Sequence, residues 1–257
     1  MTDQKGALNL LTDIYVIIVL MLSSFLHTIT GFGFVIITAP LLALVLEARE
    51  TVMLVMITSL IVMLFILRSA KKEGSFKTIF PLIRAAIIGA IPGAYMMTII
   101  SNDGLKLFIG IVLVLATVAL WKEYSLHIKH QKFVESIVGA ISGFLATTTG
   151  VSGPPVILYY LNGKVDENKA IFRGNLTRYF LLLNIASIII SYIAGTFQIG
   201  ELWLHTLLGI PALYIGFYLG ELLFHRLNAE TFKKISLMMV LLSSIAVIGS
   251  VLVKHLN

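Results

Sequence analysis

The chain contains no cysteine, which excludes a disulfide framework, a thiolate metal centre and a cysteine nucleophile together. Charge is scarce as well. Only 12% of the 257 residues are Asp, Glu, Lys or Arg, against about 25% in an ordinary soluble domain. There is no Walker A sequence and no Gly-x-Gly-x-x-Gly after a strand pattern, so nothing here cradles a nucleotide phosphate. No apolar run holds His-x-x-x-His, Glu-x-x-His or a pair of carboxylates, the ligand sets that a membrane metalloprotease or a di-iron oxidase needs. No small-residue cleavage site follows the first apolar run, so that run reads as structure rather than as a secretory signal.

What the chain does have is apolar surface: 58% hydrophobic residues and a mean hydropathy of +0.97. Such a surface faces lipid, which makes an all-α integral membrane protein the expected class and a cytosolic enzyme an excluded one. The net charge of +6 comes from Lys and Arg in short clusters between apolar runs. Clusters of that kind set orientation in a membrane, so no nucleic-acid partner is expected, and no cofactor.

Apolar runs lie at 14–29, 34–46, 51–67, 79–100, 105–121, 133–148, 154–161, 176–195, 202–224 and 232–253. A spanning helix needs about 20 residues; most of these runs reach that, some narrowly. Runs 34–46 and 154–161 do not, and each follows a Gly-rich break, which predicts half-helices. An offset of 119 residues sets Ser23, Phe25, Leu26, Thr28, Thr30 and Gly31 on Ser142, Phe144, Leu145, Thr147, Thr149 and Gly150. The same offset sets Ile91, Pro92 and Tyr95 on Ile210, Pro211 and Tyr214. One register with two anchors predicts an internal duplication, with a first repeat at 1–130 and a second at 131–257 inside one transmembrane domain.

Each repeat then has one broken segment and three spans, about 8–10 membrane segments in all. If the broken segment crosses once, the basic loops divide almost evenly between the two faces. If it turns back, as a re-entrant hairpin or as two crossings, one face collects Arg68, Lys71, Lys72, Lys77, Lys122, Lys129, Lys132, Lys164, Lys169, Arg173, Arg226, Lys233 and Lys234. Lys5, Arg49 and Lys254 are left for the other face. The positive-inside rule favours the second arrangement and places both termini outside. An odd number of crossings per repeat inverts the second copy. Inverted repeats with interrupted helices are typical of secondary transporters, which hold substrate near the midplane.

The breaks Thr30-Gly31-Phe32-Gly33 and Thr147-Thr148-Thr149-Gly150-Val151-Ser152-Gly153-Pro154-Pro155 are therefore the candidate site. Irregular backbone at membrane depth must line a cavity or be buried in protein, and helix N-termini attract anions. Thr30, Gly31, Gly33, Thr149, Gly150, Ser152 and Gly153 are the expected anion-binding residues. The plain alternative is that Gly and Pro kink spans for packing. His27, matched by Ala146, is a proton shuttle, a substrate contact, or a neutral ring bonded to a carbonyl. Arg178 and Asn184 are further candidate contacts, although Arg173 and Arg178 also suit snorkelling to headgroups, as does Arg84. His205 is expected at an interface beside Trp203, and Glu221 at a span edge. Gly89/Gly93, Gly139/Gly143 and Gly216/Gly220 are GxxxG pairs, read as packing.

Thr30-Gly31-Phe32-Gly33 through Pro40, Gly150-Val151-Ser152-Gly153-Pro154-Pro155 through Leu161, and Phe172-Arg173-Gly174-Asn175 resemble the TauE/SafE sulfite exporter family. Phe34 departs from the family's Gly-rich run. The resemblance implies a bacterial inner-membrane, multi-pass transporter of small sulfur-containing anions such as sulfite, sulfonates or sulfoacetate. A passive anion channel, a membrane-embedded enzyme and a partner subunit without transport of its own are the alternatives. Methionine-rich stretches such as Met53 to Met63 are candidate contacts for a second protomer in a homo-oligomer, with lipid as the simpler occupant.

Overall fold

A computed structural model describes residues 2–30, 33–69, 74–122, 131–162, 169–197, 202–224 and 229–256. Gly31, Phe32, Lys71, Lys72, Lys129, Lys164, His225 and Arg226 lie outside the described residues, as do the side chains of Lys5, Leu161, Lys169 and Lys233. The described residues form ten helices and no strand. They are α1 (Thr2–Thr30), α2 (Phe34–Ala43), α3 (Ala48–Ser69), α4 (Phe76–Ile99), α5 (Asn102–Trp121), α6 (Gln131–Thr149), α7 (Gly153–Asn162), α8 (Lys169–Ile193), α9 (Leu202–Phe224) and α10 (Ala229–Leu256). Seven of them, α1, α3, α4, α5, α8, α9 and α10, are long and apolar enough to cross a membrane. α6, with Glu135 in its first half, is not among them.

Local chemistry accounts for the helix ends. Ser75 accepts a hydrogen bond from Lys77 N–H at 3.2 Å and Ser101 accepts one from Gly104 N–H at 3.1 Å, each filling a donor that the first turn leaves unpaired. The two breaks turn on glycine, because Gly33 (φ 107°) and Gly150 (φ 74°) hold left-handed backbone that a side chain disfavours. α2 and α7 are ten residues each, about 15 Å long and so about half of the ~30 Å hydrocarbon layer. Both fold back. Tyr15 Oη donates to Leu41 O at 3.0 Å, and Tyr159 Oη donates to Glu135 Oε1 at 2.7 Å. The far end of each short helix thus returns to the first half of the long helix before it.

The most extensive packing joins α4 to α6 and α1 to α9. Under the 119-residue offset α1 corresponds to α6 and α4 to α9, so these two pairs are counterparts. α3 with α9 and α4 with α8 are counterparts too, while α3 with α8 and α5 with α10 each map onto themselves. Glycine permits the close approach: a Cβ on Gly143 would collide with the Ala86 carbonyl, one on Gly89 with that of Ala140, and one on Gly216 with that of Met21. The GxxxG pairs are packing devices, as expected. Thr147 Oγ1 donates to Ala90 O across the α4/α6 seam at 2.9 Å, and Ser24 Oγ donates to Leu213 O across α1/α9 at 2.7 Å. Interhelical bonds of this kind in membranes average about 0.6 kcal/mol, with a maximum near 1.7. Thr147→Val should therefore lower stability by about that average, read by reversible unfolding in detergent.

Side-chain contacts sort the helix ends into two groups. At the first end Asp13 meets His205 (2.9 Å), Ala48 N–H donates to Asn102 (2.8 Å), and Lys254 meets Asp103 (2.8 Å). At the second end Ser75 N–H donates to Asn175 (2.7 Å), and Arg173 meets both Ser69 and Glu221. Apolar side chains such as Ile88, Leu115, Ile193 and Leu242 cover the outside. The methionines of α3 do not: Met53, Met56 and Met63 are buried, which corrects their reading as an outer face. α3 packs mainly against α8 and α9, and Met63 borders a cavity with Phe180 and Asn184 of α8.

Candidate functional site

The tips of the two hairpins, α1–α2 and α6–α7, border one cavity. His27, Gly33, Phe34, Val35 and Ile36 come from the first tip and Ser152, Gly153 and Ile157 from the second. Met63 on α3 and Phe180 and Asn184 on α8 close its sides. Its volume is about 20 Å³, room for about one water and too little for an oxyanion of four heavy atoms. The cavity is a contracted site, not an open channel at this point.

Polar side chains bordering it are few, and each can donate a hydrogen bond. The Phe34 backbone N–H, first in α2, donates to His27 Nδ1 at 3.2 Å. In a neutral imidazole the proton then sits on Nε2. That Nε2 is buried and has no partner among the described residues. Asn184 is 7% exposed, and its amide bonds to no described residue. Ser152 contributes its hydroxyl, while its carbonyl is held by Ser142 Oγ at 2.7 Å, and Ser142 in turn accepts from Tyr179 Oη at 2.8 Å. No described carboxylate borders the cavity. α2 offers the free N–H groups of its first turn. α7 offers fewer, because Pro154 and Pro155 fill its first turn and have none.

Of the residues expected from sequence, His27, Gly33, Ser152, Gly153 and Asn184 meet at this cavity. Thr30, Thr149, Gly150 and Arg178 are not on its wall. Thr30 Oγ1 and Thr149 Oγ1 each donate to the carbonyl four residues back, at 2.8 Å. Thr149 also accepts from Val151 N–H at 3.1 Å, so it shapes the break from outside the site. Gly150 packs toward Val55 and Val35. Arg178 donates to Gly174 O at 3.0 Å and stacks over Phe76.

Snorkelling does not describe Arg173 or Arg178, which are 4% and 5% exposed. Protein partners satisfy them: Arg173 pairs with Glu221, bonds Ser69 at 3.2 Å and lies 4.6 Å over the Phe224 ring. Arg84, by contrast, remains on the surface above Phe80. Sequence reading also missed the buried cluster in which Glu135 accepts from Tyr159 and from Gln131 (3.1 Å). For Phe180, which borders the cavity, a signal was available on α8, where Arg173, Phe180 and Asn184 repeat at i, i+7 and i+11 and so share one face. His205 stands with Trp203, as expected, but in a second cavity of about 540 Å³ at the first end. Asp13 and Glu50 line that cavity, which makes it hostile to an anion.

A family model described as "Sulfite exporter TauE/SafE" matches residues 16–247, nearly the whole chain. No curated protein and no solved structure matches it.

Proposed function

We propose that this chain, which belongs to the TauE/SafE sulfite exporter family, moves a small sulfur-containing oxyanion, sulfite or an organosulfonate, across the bacterial inner membrane. The anion is held at the cavity between the two hairpin tips, and alternating access comes from one repeat moving against the other. The observation that carries this reading is a buried cavity whose free polar groups include the His27 Nε2–H, the Asn184 amide and the Ser152 hydroxyl, with no carboxylate beside them among the described residues. Groups able to donate, with no described negative charge beside them and with water nearly excluded, favour an anion.

Several features support inverted repeats. α1 packs in parallel with α9 and α6 in parallel with α4, while the contacts at their ends start α1 at one end of the bundle and α6 at the other. A duplicated unit inserted upside down has this form. Under the positive-inside rule the second end, with Arg68, Lys77 and Lys132 beside it, is cytoplasmic, and both termini are periplasmic. The contracted cavity favours a transporter over a passive channel, since a conducting pore would be wide enough for its ion.

Transport of sulfite by the full chain in proteoliposomes, with and without an imposed pH gradient, is the direct test. Saturable transport is expected. Ser152→Ala removes the hydroxyl without adding bulk to the cavity, so transport should be lost while expression is kept. Unchanged transport in that variant would remove Ser152 from the site.

A further inference from the structure

We infer a second anion-binding position, at Arg173, which Glu221 occupies while the path is empty and gives up to the arriving substrate. The inference rests on the cavity reading above and adds the step by which an oxyanion reaches the cavity from the second end.

Arg173 is buried, and its guanidinium is incompletely used. Nη2 donates to Glu221 Oε1 and to Ser69 Oγ, whereas Nε is buried with no partner among the described residues. The Nε–Nη2 edge of arginine presents two parallel donors that match two oxygens of one anion. Glu221 fills one of them with a single oxygen. An oxyanion with two oxygens on one sulfur fills both, and removes a buried unpaired donor that disfavours the present arrangement. Glu221 is also the more replaceable partner, because 29% of its side chain is exposed against 5% for Arg173. A released carboxylate therefore finds water, while a released guanidinium does not.

The position lies on the way to the cavity. Arg173 shares the face of α8 that carries Phe180 and Asn184, about 10 Å and 16 Å along the helix toward its other end. Glu221 follows Gly220, where an added Cβ would collide with Thr28 on α1, the residue after His27. A buried arginine needs one anionic partner at all times, so the carboxylate and the substrate compete. When the substrate wins, α8 is untied from α9 at the second end. Binding is thus coupled to opening, because the anion prefers the state in which Glu221 has left.

The experiment uses the purified full chain with sulfite as probe and chloride at equal ionic strength as control. Glu221→Gln should lower the KM for sulfite transport at least about tenfold, the weight of one charge-assisted hydrogen bond. Arg173→Lys, which keeps the charge and loses the fork, should raise KM by a similar factor. In thermal unfolding, sulfite should stabilise Glu221→Ala more than the wild type, and the double variant Arg173→Ala/Glu221→Ala should lose that excess. An unchanged KM in both Glu221→Gln and Arg173→Lys overturns the inference. So does a charge-reversed pair, Arg173→Glu/Glu221→Arg, that recovers transport along with stability, since a purely structural ion pair behaves that way. Loss of transport in Asn184→Leu beside an unaltered Glu221→Gln leaves the cavity reading standing and removes Arg173 alone. A wild type neither moved nor stabilised by sulfite overturns both.

Discussion

Gly143→Leu should leave no folded protein, and Gly143→Ala should already reach or exceed the roughly 1–3 kcal/mol typical of an overpacked site. The reason is what the added Cβ meets. It would fall on the Ala86 carbonyl group and its Cα, all main chain within α4, so no side chain can turn aside. α6 would have to lift away from α4 along a seam that also holds Gly89 against Ala140 and Gly139 against Leu82. Without a hydrophobic drive between helices in lipid, that close packing is most of what holds the pair together. Gly249 in α10 supplies the control, because a Cβ there meets nothing within 4 Å. Gly249→Ala should be neutral or mildly stabilising, since alanine favours helix over glycine by about 1 kcal/mol. Monodispersity after detergent extraction and reversible unfolding measure both effects. Equal behaviour of Gly143→Ala and Gly249→Ala would show that the seam tolerates separation.

The architecture was largely legible in the sequence because lipid enforces a simple code. Long apolar runs became α3, α4, α5, α8, α9 and α10, and the short runs after the breaks became α2 and α7, ten residues each. The 119-residue register sets the end of α1 at Thr30 on the end of α6 at Thr149, and the start of α2 at Phe34 on the start of α7 at Gly153. Half of the candidate site was legible for a related reason: Gly33, Ser152 and Gly153 sit at the breaks themselves, where backbone geometry dictates position. Thr30 and Thr149 stand off the cavity wall, and a hydroxyl near a break has two uses. Thr30 and Thr149 spend theirs on the carbonyl of the preceding turn, a local bond that competes with any ligand. Arg173 was misread because its carboxylate partner, Glu221, lies 48 residues away. No local pattern tells an arginine that reaches headgroups from one that finds a carboxylate on another helix.

Asn184→Asp should abolish transport, and Asn184→Leu should weaken it by a lesser factor. The ordering of the two is the informative result. Asp is nearly isosteric with Asn, so the cavity keeps its shape while one donor becomes a negative charge. Beside the other cavity groups, in a space of about 20 Å³, that charge repels an anion at a distance where water screens little. Leu removes the donor without adding charge, and hydrogen bonds to charged groups are worth about 1.5–3 kcal/mol, a factor of roughly 10–150 in affinity. A site for a cation or a neutral ligand reverses the order, because Asp would keep a polar contact and add attraction. His27→Phe completes the comparison. It removes the Nε2–H that faces no described partner and the Nδ1 that accepts from Phe34 N–H, so it strips a donor from the site and a cap from α2 together. Its loss of transport should exceed that of Asn184→Leu, and its stability should fall by about 1 kcal/mol as the cap goes. Retained transport in Asn184→Asp at wild-type expression would exclude an anion from this cavity.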